Sequence, residues 1–351
     1  MIEFVTGNIL KADAEALVNT VNCVGVMGKG IAFQFKQAFP DNFRAYRAAC
    51  DAGKVRPEHM FVFETGRLIN PKFIINFPTK RHWKGKSKLE DIESGLRDLI
   101  SVVRKNRIAS VAVPPLGCGY GGLRWAEVRP RVEQALSQLP EVRVLLYEPV
   151  GAPKPDTMPV ATDVPKMTRA RALLVKLIEN YCLLGYYRLS MLEIQKLAYL
   201  LQGSGEPLKL QFVPHHYGPY ADNLNFVLQR IEGHFIRGYG DGSRKPQTSL
   251  RLLDDAVRQA DEFLADDTEG RQRLEAVKNL IEGFETPYGM ELLATVHWVA
   301  TQGESPAMNP EEAVDKTRQW SRRKRARFPT EHIAVAWERL AELRVVEPSE
   351  C

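Results

Sequence analysis

The sequence predicts two domains of different class: an α/β domain with a largely parallel sheet over residues 1–150, then a mostly helical domain over residues 168–351. Three observations carry this. Short apolar, β-rich runs alternate with helical periodicity through the first 150 residues. The segment Gly151–Met167 holds prolines at 153, 155, 159 and 165, and beyond it helical patterns dominate. Strand–helix alternation favours parallel strands, because each crossover helix returns the chain to the same edge of the sheet. The prolines remove backbone donors and restrict φ, so 151–167 reads as a Pro-rich linker.

The strand-like runs are Ile2–Val5, Leu17–Val21, Met60–Phe63, Phe73–Phe77, Ser110–Val113 and Val142–Tyr147. Helical periodicity marks Gly30–Phe39, Leu89–Arg104 and Val128–Leu139. In the second domain it marks Arg169–Leu184, Met191–Gln202, Ala221–Gln229, Leu252–Ala265, Arg271–Phe284, Glu291–Thr301 and Pro329–Leu343, with weak strand signals. Neither internal repeats nor low-complexity tracts appear.

Composition narrows the function classes. Hydrophobic residues make up 44% of 351, enough for sizeable cores. The five cysteines, Cys23, Cys50, Cys118, Cys182 and Cys351, are scattered and show no zinc spacing, so no metal and no cofactor are expected and a reducing compartment, the cytoplasm, fits best. The N-terminus lacks the pattern of a signal peptide, and no run of 18 apolar residues exists, so no membrane partner is expected. A net charge of +5 permits a nucleic-acid partner, which makes the distribution of charge the informative quantity.

Chemistry concentrates where strands end. In VNTVNCVGVMGKGIAFQFKQAFP, Val18–Pro40, a strand runs into a helix through Asn19, Asn22, Gly25, Gly28 and Gly30. Bare backbone at a helix N-terminus suits an anion, and a tight strand–helix turn explains the same glycines. No GxxxxGK[ST] is present, so P-loop chemistry is not expected. PPLGCGYGGLRW, Pro114–Trp125, repeats the arrangement with four glycines after another strand. Two such loops beyond strand C-termini predict one diphosphate ligand held from both sides. In FVTGNIL, Asn8 follows the first strand as a base-reading amide or a turn residue. TKRHWKGKSK, Thr79–Lys88, carries five Lys/Arg and no acid around His82 and Trp83, the make-up of a strand-tracking patch or of a solvated loop. KTRQWSRRKRAR, Lys316–Arg327, holds seven Lys/Arg in twelve residues and reads as a nucleic-acid or acidic-partner contact, or a solvated linker.

These stretches, in this order, resemble macrodomains, in the branch of terminal ADP-ribose glycohydrolases and DNA ADP-ribosyl glycohydrolase antitoxins. MLEIQKLAYLLQ (191–202) and HHYGPYADNL (215–224) resemble helical antitoxin domains of the SocA-like type. The resemblance implies a three-layer α/β/α fold with a mixed, mostly parallel sheet at 1–150 and a toxin-binding domain at 168–351. The function it implies is hydrolysis of ADP-ribose from thymidine in single-stranded DNA, with neutralisation of a DarT-type ADP-ribosyltransferase toxin.

It also implies roles for particular residues. Lys80 and Asn22 are the expected catalytic residues. Asn8, Ile9, Asn19, Gly28, Gly30, Ile31, Thr79, Gly117, Cys118, Gly119, Tyr120, Gly121, Gly122 and Leu123 join Asn22 around ADP-ribose, and Tyr147 is an adenine stacker or a core aromatic. Lys80, Arg81, Trp83, Lys84, Lys86 and Lys88 are the expected DNA contacts. Two departures stand out. Most macrodomains carry aspartate where this chain has Asn8, and protein-directed relatives carry aspartate where it has Gly121. A non-hydrolytic ADP-ribose reader and a protein-directed hydrolase are the alternatives.

Overall fold

The structure is a computed structural model describing residues 1–184, 189–243, 246–303 and 305–346; Cys351 lies outside the described residues. Contacts divide the chain into two compact units. One comprises Met1–Asp163 with Gly240–Ser243, and the other holds the described residues from Val164 onward apart from those four.

The first unit is built on a six-stranded sheet of β1 (Ile2–Val5), β2 (Ala16–Asn22), β3 (Phe61–Glu64), β4 (Phe73–Lys80), β5 (Ser110–Val113) and β6 (Arg143–Tyr147), in the order β1-β6-β5-β2-β4-β3. Every neighbouring pair is parallel except β3 with β4. The helices are α1 (Gly30–Ala38), α2 (Pro40–Asp51), α3 (Leu89–Lys105) and α4 (Trp125–Leu136).

Strand alternation explains the layers. Val18, Ile75, Val111 and Val144 point into one core with Ile92, Leu96 and Leu99 of α3 and Val128 and Val132 of α4. Their chain neighbours Leu17, Ile74, Ala112 and Leu145 point the other way, against Phe35 and Ala38 of α1. Helices on both faces make the expected three-layer α/β/α macrodomain fold. Close approach of α3 to the sheet depends on Gly95, where a Cβ would lie 2.4 Å from the fully buried Phe77 ring. Burial of a ring of that size stabilises by about 1.5–3 kcal/mol.

The helix α2 lies outside the segments with helical periodicity; it begins on Pro40 at its first turn, where a missing N–H costs nothing. The strand β4 runs three residues past its predicted end, through Pro78. Proline is tolerated there because β3 pairs only as far as Asn76, which leaves the next residues of β4 at an edge on that side. Residues 155–157 form a 3-10 turn, and Ala161 N–H donates to the Gln37 carbonyl, 2.8 Å.

The second unit is mostly helical: α5 (Arg169–Leu184), α6 (Met191–Gly203), α7 (Leu224–Ile231), α8 (Asp254–Phe263), α9 (Thr268–Ile281), α10 (Pro287–Thr301), α11 (Pro310–Trp320), α12 (Arg322–Arg327) and α13 (Thr330–Glu342). An antiparallel hairpin, β7 (Phe212–His215) and β8 (Gly218–Ala221), and a two-residue pair, β9 (Ile236–Arg237) and β10 (Arg251–Leu252), interrupt it. The helix predicted from Ala221 starts at Leu224, because Ala221 closes the hairpin.

The basic run Lys316–Arg327 is not a solvated linker. It ends α11 and forms α12, and three of its cations converge on the buried Glu291 carboxylate of α10. Lys324 approaches to 2.7 Å, Arg323 donates to both oxygens, and Arg327 lies at 3.6 Å. Lys316 donates to the Ser305 carbonyl, 2.6 Å.

Candidate active site at the strand ends

Because β1, β2, β4, β5 and β6 run in the same direction, the segments that follow them gather at one edge of the sheet. One irregularity matters there. Register between β2 and β4 is even from Ala16–Phe73 to Val21–Pro78, then jumps so that Asn22 pairs with Lys80. Thr79 is the extra residue of this bulge; it is buried, and its hydroxyl donates to the Val21 carbonyl, 3.4 Å. Bulges re-aim side chains at sheet ends. This one sets Lys80 beside Asn22, although 58 positions of sequence separate Val21 from Thr79, the residues just before them.

The basic loop after β4 is stitched to the glycine loop after β5. The Lys80 ammonium donates to the Tyr120 carbonyl, 2.5 Å, and Ser87 N–H donates to the Gly121 carbonyl, 3.0 Å. Lys86 lies along Gly122, with Nζ 3.2 Å from where a Cβ would stand. Tyr120 closes the arrangement on the other side. Its ring, half exposed, lies 3.2 Å from the Cβ position of Gly30, the first residue of α1, whose φ of +63° favours glycine. Burial, followed by the neighbouring charge of Lys86, holds the Lys80 amine below its ordinary range.

Gly121 accounts for the missing carboxylate. A Cβ there would fall 2.2 Å from the Gly117 carbonyl oxygen and 2.3 Å from the Ser87 hydroxyl, so no side chain fits this loop.

The expected ligand residues fall into distinct groups. Gly28, Gly30 and Ile31 stand at the start of α1, and Gly117, Cys118, Gly119, Tyr120, Gly122 and Leu123 form the loop before α4. Leu123 N–H donates back to the Gly117 carbonyl, 3.1 Å. The Asn22 side chain braces its own loop: Oδ1 accepts from the N–H of Val24 and of Val26, and Nδ2 donates to the Val26 carbonyl. Asn19 has no exposed surface. It donates to Asn76 Oδ1, 3.0 Å, its register partner on β4, and Asn76 donates to Asn42, 2.7 Å.

Asn8 is engaged twice, accepting from Leu10 N–H and donating to the Thr157 carbonyl. Ile9 and Tyr147 belong to one buried core cluster with Leu17 and Phe35. Of the DNA-directed set, Arg81 pairs with the buried Asp91 of α3, 2.9 Å. Trp83 is half exposed, with Lys84 Nζ 5.1 Å from its ring centre. Lys84, Lys86 and Lys88 are exposed.

Three contributors escaped sequence reasoning. Tyr46 of α2 donates its hydroxyl to the Asn22 carbonyl, Asn76 anchors Asn19, and Ser87 ties the two loops together. Tyr46 lies outside every motif in the sequence and so gives no signal, although α2 packs it in one buried cluster with Val21 of β2 and Met27 of the first loop; Asn76 does interrupt an apolar strand, which is one. Burial pushes the thiols of Cys23 and Cys118 up to about 11, so neither supplies a thiolate. Among the described residues no group of three His, Cys, Asp or Glu is placed to hold a metal ion.

Residues 18–132 match the Macro domain family. A Thermus aquaticus protein named DNA ADP-ribosyl glycohydrolase is 47% identical over 350 residues, covering 100% of this chain and 96% of its own. The chain belongs to the DNA ADP-ribosyl glycohydrolase family, DarG. The solved macrodomain of Thermus aquaticus DarG is 54% identical over 42% of this chain and 99% of its own, with a TM-score of 0.42. A Thermosipho africanus protein named as a fusion of DNA ADP-ribosyl transferase and DNA ADP-ribosyl glycohydrolase is 38% identical over 44% of each chain. Membership of the DarG family agrees with the resemblance read from the motifs. No described helix is long and apolar enough to cross a membrane.

Proposed function

We propose that this chain hydrolyses the N-glycosidic bond between ADP-ribose and thymidine in single-stranded DNA, in the cytoplasm, and that its helical unit binds and neutralises a DarT-type transferase toxin. The observation that carries the enzymatic reading is Lys80. It stands at a bulged strand end as the register partner of Asn22, and its amine is held against the glycine loop at Tyr120.

In this reading the two glycine loops hold the diphosphate and distal ribose, and Asn22 keeps the first loop in shape as a positioning residue. Cleavage has oxocarbenium character, and a glycosidase usually supplies two carboxylates. Thymine relaxes that requirement, because its imide nitrogen spreads negative charge over two carbonyls as it leaves. Lys80, as a preorganised cation beside those carbonyls, stabilises that charge. Water adds its hydroxide to the anomeric carbon, and its proton ends on the thymine nitrogen. The crowded Gly121 counts against hydrolysis at protein carboxylates, where the related enzymes place aspartate.

The test uses an oligonucleotide carrying ADP-ribosylated thymidine, weighed by mass spectrometry after incubation. The unmutated protein is expected to remove the modification, and Lys80→Ala to slow removal by about 10²–10³-fold while retaining ADP-ribose binding. Modified DNA left intact by the unmutated protein would overturn the reading. The alkaline limb of the rate profile is expected below 10.5, the ordinary value for lysine, because a cation is required and its amine is lowered; a rate that rises through that range would make Lys80 a neutral base or nucleophile.

The fused transferase and glycohydrolase of Thermosipho africanus supports a toxin partner. Co-purification of the Lys80→Ala chain with the cognate transferase is expected, and failure of the two to associate would remove the neutralising role.

A further inference from the structure

The basic loop 81–88 divides into two halves with different contacts. In the outer half Trp83 is half exposed, His82 lies 5.5 Å from it, ring centre to ring centre, and Lys84 Nζ rests 5.1 Å from the indole. An aromatic and a cation side by side at the surface suit a stacked base and its phosphate. The inner half turns back. Ser87, only 6% exposed, is pinned by its N–H to the Gly121 carbonyl, and that anchor lays the Lys86 chain along Gly122. Three carbons or nitrogens of Lys86 lie between 3.2 and 3.8 Å from the Cβ position of Gly122. Among the described residues no carboxylate pairs with Lys86. An unpaired ammonium held against the bare backbone of a glycine loop suits an anion bound in that loop.

Resting on the proposed function, we propose that Lys86 is a specificity residue for the diphosphate of ADP-ribose, closing over the Gly117–Leu123 loop, whereas Trp83 and Lys84 meet the DNA strand. The cations of one sequence run therefore serve two different phosphates. Lys86 contacts the part of the substrate that is the same in every ADP-ribosylated product, and the outer half contacts the part that is DNA.

The experiment is calorimetric titration of the full chain with free ADP-ribose, with adenosine, and with unmodified single-stranded oligonucleotide, for the unmutated protein, Lys86→Met, Lys86→Arg and Lys84→Met. Lys86→Met is expected to lose about 10-fold or more in ADP-ribose affinity, the scale of one charged hydrogen bond, with a shallower dependence on salt. Adenosine, which lacks phosphate, is expected to bind it unchanged, and Lys86→Arg to retain ADP-ribose. Lys84→Met is expected to keep ADP-ribose affinity within about twofold and to lose oligonucleotide affinity. Equal ADP-ribose losses in Lys84→Met and Lys86→Met overturn the division of labour, as does adenosine affinity falling together with ADP-ribose. If the unmutated protein fails to bind ADP-ribose, the proposed function fails with it; if it binds and Lys86→Met binds equally well, only the role of Lys86 falls.

Discussion

Two regions of the molecule hold lysines whose amines lie below their ordinary range, and they differ in what surrounds them. In the helical unit Lys324 is fully buried and lowered to about 8, first by burial, yet it donates to Glu291 at 2.7 Å and to Thr295 at 2.9 Å. Lys196 beside it is lowered to about 7, first by burial and then by the charge of Lys324, and donates to the Pro219 carbonyl, 2.7 Å. Both are closed off from solvent, and the acid that offsets them is Glu291. Lys80 is half-buried, opens onto the strand ends, and the charge acting on it is another lysine, Lys86. Compensation separates them: lowered lysines that share a buried carboxylate inside a core hold the fold together, and a lowered lysine at a sheet edge, with only another lysine's charge acting on it, is left to act on a ligand.

The largest effect that can break this contrast is expected at Glu291. Glu291→Ala strands Arg323, Lys324 and Arg327 around a buried void and is expected to destabilise the helical unit by about 3–5 kcal/mol. Chemical denaturation followed by helix signal measures it, and a loss below 1 kcal/mol, on the same scale of order, would show that the cluster is not structural.

Next comes acid sensitivity. His297 is buried, lowered from 6.5 to about 4 by desolvation, and hydrogen-bonded to the Tyr199 hydroxyl, 2.8 Å. The unfolded chain binds a proton there before the folded chain does, so the stability it contributes is present above 6.5 and is lost as pH falls toward 4. The expected size is about 3 kcal/mol. Denaturation midpoints compared at pH 7 and pH 4.5 for the natural chain and His297→Gln measure it, and identical pH slopes would refute it.

The smallest effect sharpens the contrast from the other side. Lys80→Ala is expected to change stability by no more than about 0.5–1 kcal/mol, although it removes most of the activity. A loss on the scale of Glu291→Ala would make Lys80 structural.

Much of the first unit was legible in the amino-acid sequence because strand alternation and turn glycines are local signals. Ile74 and Ile75, or Ala112 and Val111, send alternate side chains into opposite cores, and any chain with that pattern must cover both faces. The helical unit was less legible. Lys316–Arg327 looks solvated because charge runs usually are, and only Glu291, 25 residues upstream of Lys316, gathers three of its cations around a buried carboxylate. The hairpin at Phe212–Ala221 hid behind two prolines and a glycine, its carbonyls held by Lys196 and Trp320.

The sequence by itself determined an α/β domain with two glycine loops and a basic segment beyond its strand ends, followed by a helical domain, because those features depend on residue type and near spacing. Only the tertiary structure decided that Lys80 stands beside Asn22, since a bulge at Thr79 shifts one strand against another by one residue. It also decided that Asn22 spends its side chain on its own loop, and that Gly121 has no room for a side chain. Register and crowding belong to pairs of distant segments, and no window of sequence contains both members of such a pair.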